Sequence, residues 1–156
     1  DCNWNVLDIC GVCGGSAISE GECILTDTDG NSYSTIQIGN QTWMAKNMNY
    51  NYNTCYGDIE DNCDIHGRLY NYDNAQSVCS ELTGYGQWHL PSDDDWKELE
   101  MFLGMTQETA DLPGVRGTDE GGKLKSLDLW QTPNVGATNE YNFNAILLET
   151  FSPLFF

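Results

Sequence analysis

The chain has 156 residues and a mass of 17.4 kDa, and 40% hydrophobic with 12% aromatic residues argues for a folded body over a disordered acidic tail. Lys and Arg number 6 against 24 Asp and Glu, a formal charge of −18, so the surface field repels phosphate and excludes nucleic acid or an anionic membrane held by electrostatics. No apolar run reaches the ~20 residues that membrane insertion needs.

The first 25 residues form a Cys/Gly-rich segment, read as a linker or stalk, and residues 26–156 form the main domain. Cys2, Cys10, Cys13 and Cys23 lie in or beside the run Cys10-Gly-Val-Cys-Gly-Gly15, too small to fold without staples. An acidic, Asn- and Gly-rich chain with seven cysteines points to disulfides in an oxidising, extracellular or cell-surface compartment. Two N-terminal disulfides are expected, with a zinc knuckle as the rival, since Cys10 and Cys13 make a CxxC. Cys55 and Cys63 bracket a short acidic loop that a local disulfide could close, which leaves Cys79 alone.

Beyond residue 25 the chain alternates like a sheet. Glu22–Thr26 and Ser32–Ile38 flank the turn cluster Asp27-Thr-Asp-Gly-Asn31, and Gly39-Asn40 leads into Gln41–Ala45, so three strands in a meander are expected. Ala75, Val78, Cys79 and Leu82 recur at i, i+3, i+4 and i+7, predicting a helix over residues 73–82. Ser92 followed by Asp93, Asp94 and Asp95 marks a second helix start, with Trp96, Leu99, Phe102 and Leu103 as its buried stripe and Gly104 as its stop. Residues 106–142 read as loop, and residues 143–156 as an apolar terminal segment. The fold class is therefore α+β, with two helices packed on small antiparallel sheets, long loops and disulfide staples.

Two cation loops come to mind from the spacing. Asp27, Asp29 and Asn31 have the oxygen-rich look of a calcium loop, but the late bidentate Glu is absent, and a hairpin turn with side-chain-to-backbone bonds is the competing reading. Asp58, Glu60, Asp61 and Asp64 are the better calcium candidates, because four carboxylates on a constrained loop repel unless a cation relieves them; the competing reading is a solvated surface loop. No other cofactor is expected.

Tyr50, Tyr52 and Tyr56 stand among Asn51 and Asn53, and aromatic faces beside amides suit a sugar ring or an adhesive protein contact. For catalysis the inventory is thin. His66 and His89 are the only histidines, no carboxylate dyad stands out, and Gly121-Gly122-Lys123 lacks the rest of a phosphate loop.

Longer motifs carry a family resemblance. Asp27-Thr-Asp-Gly-Asn-Ser-Tyr33, Ile36-Gln-Ile-Gly-Asn-Gln-Thr-Trp-Met-Ala45, Gly67-Arg-Leu-Tyr-Asn71, Trp88-His-Leu-Pro-Ser92, Gly122-Lys-Leu-Lys125 and Ala137-Thr-Asn-Glu140 follow in order, over roughly residues 24–145. Together they resemble the Fibrobacter succinogenes major paralogous domain. Residues 75–91 also look like related lectin-like domains. The resemblance implies a C-type-lectin-like fold in a secreted or surface-anchored bacterial protein, with no activity attached. It also implies that the family's closing strands and final cysteine, the expected mate of Cys79, are replaced here by residues 146–156, as in a truncated or remodelled domain.

The expected function is a non-catalytic extracellular binding, adhesion or structural module that meets a glycan or protein surface. The alternative is a self-assembling subunit of an extracellular filament or homo-oligomer, with the apolar tail and an open sheet edge making the contacts.

Overall fold

A computed structural model describes residues 24–84 and 86–147. The expected pairings of Cys2, Cys10, Cys13 and Cys23, and the apolar tail beyond residue 147, lie outside the described residues. The described part divides at Leu90 and Pro91 into two compact units. The first is α+β, with three small antiparallel sheets, short helices and one disulfide; the second is built from short helices and loops among the described residues.

In the first unit, β1 (Leu25–Asp27) is the middle strand of a three-stranded antiparallel sheet. Its neighbours are β2 (Ser32–Tyr33) and, from much later in the chain, β7 (Leu82–Thr83). β3 (Thr35–Ile38) and β4 (Gln41–Met44) form a separate hairpin, and β5 (Thr54–Cys55) pairs with β6 (Arg68–Leu69). This corrects the expected three-strand meander. The stretch 32–38 is two strands, because the ladder to β1 ends at Tyr33, while from Ser34 onward the backbone pairs with the next hairpin arm, Ser34 accepting from the Ala45 N–H at 2.9 Å.

The helix expected over residues 73–82 is likewise shorter. α2 spans Tyr72–Val78, with Asn71 as its cap accepting from the Asn74 N–H at 2.9 Å. A 3₁₀ turn at Cys79–Glu81 follows, and Leu82 has left the helical stripe to join β7. Hydroxyls explain the early end. Ser77 bonds back to Asp73 and Asn74, and Ser80 bonds back to Ser77 at 2.6 Å, both competing with helical backbone bonding. The acidic stretch after Cys55 is also not a plain loop: a 3₁₀ turn at Tyr56–Asp58 leads into α1 (Asp61–His66), which carries Cys63.

The second unit is organised by α3 (Asp93–Phe102), which begins as the sequence predicts. Ser92 and Asp95 make a reciprocal capping box, Asp95 N–H to Ser92 Oγ at 3.2 Å and Ser92 N–H to Asp95 Oδ2 at 2.8 Å. Its end is a Schellman turn: Met105 N–H reaches the Glu100 carbonyl at 3.0 Å and Gly104 N–H the Met101 carbonyl at 3.1 Å, with Gly104 at φ +121°. Leu99 and Leu103 are buried as expected. Trp96 and Phe102, expected in the same stripe, are 37% and 51% exposed. Each lies edge-on to an aromatic from the later chain, Trp96 to Phe143 and Phe102 to Tyr141.

The span 106–142, expected as loop, holds two short helices, α4 (Gln107–Ala110) and α5 (Glu120–Leu124). α4 has a Thr106 cap. At α5, Glu120 is buried and its carboxylate accepts from the Thr118 N–H at 2.6 Å. Both helices are a turn or so long, below what hydrophobic periodicity can reveal. Lys123 ends α3 rather than cradling phosphate: its ammonium donates to the Leu103 carbonyl at 2.6 Å.

Of the two adjacent glycines in α5, only Gly122 is required by packing. A Cβ there would sit 2.2 Å from the Gly136 carbonyl oxygen, a backbone atom that cannot rotate away, whereas at Gly121 it would meet nothing. The Gly122 carbonyl in turn accepts from Thr138 N–H at 2.9 Å. Gly122→Ala should therefore cost about 1–3 kcal/mol in urea unfolding. Gly121→Ala should be neutral or stabilise by up to about 1 kcal/mol. Equal effects of the two would refute the packing argument.

Candidate functional site

Asp27 sits at the end of β1 and is 4% exposed. In a chain this acidic, an ionised buried carboxylate survives only with its lone pairs filled. Four donors fill them. Oδ1 accepts from the N–H groups of Asp29 at 3.0 Å and Asn31 at 2.9 Å; Oδ2 accepts from Asn31 Nδ2 at 2.8 Å and the Tyr33 hydroxyl at 2.5 Å. The turn reading of Asp27–Asn31 thus describes what the structure shows. Burial opposes ionisation of Asp27, but the bonds from Tyr33, Asn31 and Asp29 together outweigh it and hold the carboxyl below its ordinary range. The same burial, reinforced by the Asp27 charge, pushes the Tyr33 phenol up.

From this hub the network reaches residues 49–53. Asn49 N–H donates to the Tyr33 hydroxyl at 3.0 Å, and the Asn49 carbonyl accepts from Asn31 Nδ2 at 3.2 Å. Asn51 N–H donates to Asp29 Oδ2 at 2.7 Å. The Tyr70 hydroxyl donates to the Tyr50 carbonyl at 2.6 Å, and Arg68 Nη1 to the Asn53 carbonyl at 2.9 Å. Burial pushes the Tyr70 phenol up to about 12 against the opposing Arg68 charge, so it stays a donor at neutral pH. The backbone of this segment is therefore pinned at successive residues.

What the pinned backbone presents is aromatic. The rings of Tyr50 and Tyr52 lie nearly parallel, 10° apart with centroids 6.4 Å apart, and Tyr52 is 58% exposed. Asn51 is exposed and Asn53 half-buried beside them. The structure brings together these four of the five residues expected to bind. Tyr56 instead stands in the following 3₁₀ turn, edge-on to His66 with centroids 5.9 Å apart.

The four expected calcium ligands are distributed differently. Asp58 accepts from the Thr54 hydroxyl at 3.2 Å, Glu60 pairs with Arg68, and Asp61 and Asp64 lie in the first turn of α1, all four exposed. Among the described residues, the acidic, Cys and His ligand atoms converge within 4.8 Å at one group, Cys55, Glu60 and Cys63, not at the four carboxylates. Cys55 and Cys63 are joined by a disulfide, as their spacing suggested, with Cα atoms 5.1 Å apart. Cys79 carries a free, half-buried thiol that donates to the Ala75 carbonyl at 3.6 Å, and burial pushes its pKa up.

Sequence reasoning missed the parts that Arg68 and Asn49 play in pinning this backbone. Arg68 carried a signal in its scarcity: it is one of two arginines in the chain.

Residues 36–152 match the family model described as the Fibrobacter succinogenes major domain. No curated protein and no solved structure matches the chain.

Because Asp27 has a lowered folded-state pKa, its contribution to stability is full above the ordinary carboxylate value and is lost as pH falls through the lowered value. Asp27→Asn should remove that portion of the acid limb and cost about 1–3 kcal/mol at neutral pH, by leaving donors unmatched. Urea titrations of both proteins between neutral and strongly acidic pH check this. An unchanged acid limb would refute the assignment.

Proposed function

The chain belongs to the Fibrobacter succinogenes major domain family, and on that premise we propose that it is a non-catalytic binding or adhesion module of a secreted or surface-anchored bacterial protein, built on a C-type-lectin-like body. Its contact platform is Tyr50–Asn53. The observation that carries this reading is the combination of a backbone held at several points with a near-parallel tyrosine pair, half-buried at Tyr50 and exposed at Tyr52. Rings fixed before contact lose little entropy on binding, and tyrosine faces flanked by amides suit the apolar face and hydroxyl rim of a sugar, or a protein surface of similar character. The disulfide at Cys55–Cys63 fits an oxidising location outside the cell. The net charge of −18 disfavours strongly anionic partners.

A glycan array probed with the full chain tests the proposal. Tyr52→Ala should weaken any binding by about tenfold, near the upper end of what one aromatic contact supplies. Its unfolding free energy should stay within about 0.5 kcal/mol, as for other exposed positions. Binding unaffected by the substitution would move the contact elsewhere, and concentration-dependent filaments in negative-stain microscopy, without glycan binding, would favour the self-assembling alternative.

A further inference from the structure

We propose that, with the Cys55–Cys63 disulfide reduced, the two sulfurs and the Glu60 carboxylate form a binding site for a soft divalent cation, zinc above all. Three observations lead there. First, the Cys55, Cys63 and Glu60 ligand atoms already lie within 4.8 Å of one another. Two thiolates on one tetrahedral zinc sit about 3.8 Å apart at the usual ~2.3 Å bond length, and Cα atoms 5.1 Å apart let both reach one ion without moving the backbone.

Second, Glu60 is oriented for the task. Its Oε1 is engaged by the Arg68 guanidinium, while its Oε2 lies 3.4 Å from the Cys55 sulfur. Arg68 is itself anchored, its side chain 9% exposed and its Nη1 donating to the Asn53 carbonyl at 2.9 Å. An outer group that holds one carboxylate oxygen and leaves the other facing the ligand set is how metal sites fix their carboxylates. Third, both cysteines are buried, at 4% and 2% exposure, and they come from two different elements, β5 and α1. Each is also held by backbone bonds besides the covalent link: Cys55 pairs with Arg68 across β5 and β6, and the Cys63 N–H donates to the Glu60 carbonyl at 2.9 Å. Two sulfurs and one oxygen select zinc or cadmium over calcium or magnesium.

The exchange balances with a dithiol as reductant. The dithiol gives two electrons and two protons to the Cys55–Cys63 bond and closes into its own disulfide. The two protein thiols then release their protons to solvent as the two sulfur–zinc bonds form. Oxidation by a small disulfide reverses both steps and expels the ion, so the site is open in one redox state and covalently closed in the other.

Differential alkylation tests this on the full chain, reduced with a phosphine that does not itself hold zinc, and read peptide by peptide in mass spectrometry. Zinc should slow alkylation of Cys55 and Cys63 by about tenfold or more, while Cys79 serves as the unaffected reference. Glu60→Gln should raise the zinc concentration needed by at least the about tenfold that losing even an outer-shell partner costs. If the reduced chain loses its circular dichroism signal, zinc should restore it. Equal alkylation of Cys55 and Cys63 with and without zinc would overturn the proposal, as would protection that persists undiminished in Glu60→Gln.

Discussion

The first unit depends on one buried negative charge. Asp27 ends β1, and its four donors come from the turn after that strand and from β2. The Tyr33 hydroxyl that donates to it accepts in turn from Asn49, and Asn31 reaches the Asn49 carbonyl. A carboxylate with fewer donors would take up a proton or draw in water. Here each donor it gathers is on a segment whose position matters downstream. Turn, strand and the backbone at Asn49 therefore share one electrostatic centre.

That dependence sets what the sequence could reveal. The cluster Asp27-Thr-Asp-Gly-Asn31 was legible as a turn because its chemistry is local: Asp27 bonds to residues two and four positions on. The start and stop of α3 were legible for the same reason, since caps act within one helical turn. Cys55 and Cys63 were legible from their spacing. The second partner of β1 was not. β7 arrives from more than fifty residues downstream, and its two residues carry no alternation of their own; Leu82 even fitted the helical period of the segment before it. α4 and α5 escaped because helices of four and five residues are too short to show an apolar stripe.

The candidate site divides along the same line. Tyr50, Asn51, Tyr52 and Asn53 were visible as a composition, an aromatic and amide run with no core periodicity. Whether such a run lies flat on a core or faces outward depends on what holds its backbone, and the holders Tyr33, Tyr70 and Arg68 are distant in sequence. The acidic candidates failed to converge for a related reason. Asp58, Glu60, Asp61 and Asp64 are neighbours in the chain, but they are spread over a 3₁₀ turn and the start of α1, and Glu60 is claimed by Arg68 while Asp58 accepts from Thr54.

Cations are few enough to follow one by one, and their uses bear on what the surface can meet. Arg68 holds Glu60 and the Asn53 carbonyl. Lys97 bridges Asp93 and Asp111, and Arg116 holds Glu100. Lys123 closes the end of α3, and Lys125 lies 4.1 Å over the Trp130 ring. Five of the six positive side chains are thus engaged in holding the protein's own chain, which leaves the outward field to the unmatched carboxylates. Exposed ion pairs contribute little to stability one at a time, so the larger consequence of this arrangement lies in recognition. An acidic partner approaching this surface finds repulsion and almost no uncommitted cation to offset it. A neutral or basic partner meets no such barrier, which accords with the contact platform proposed at residues 50–53.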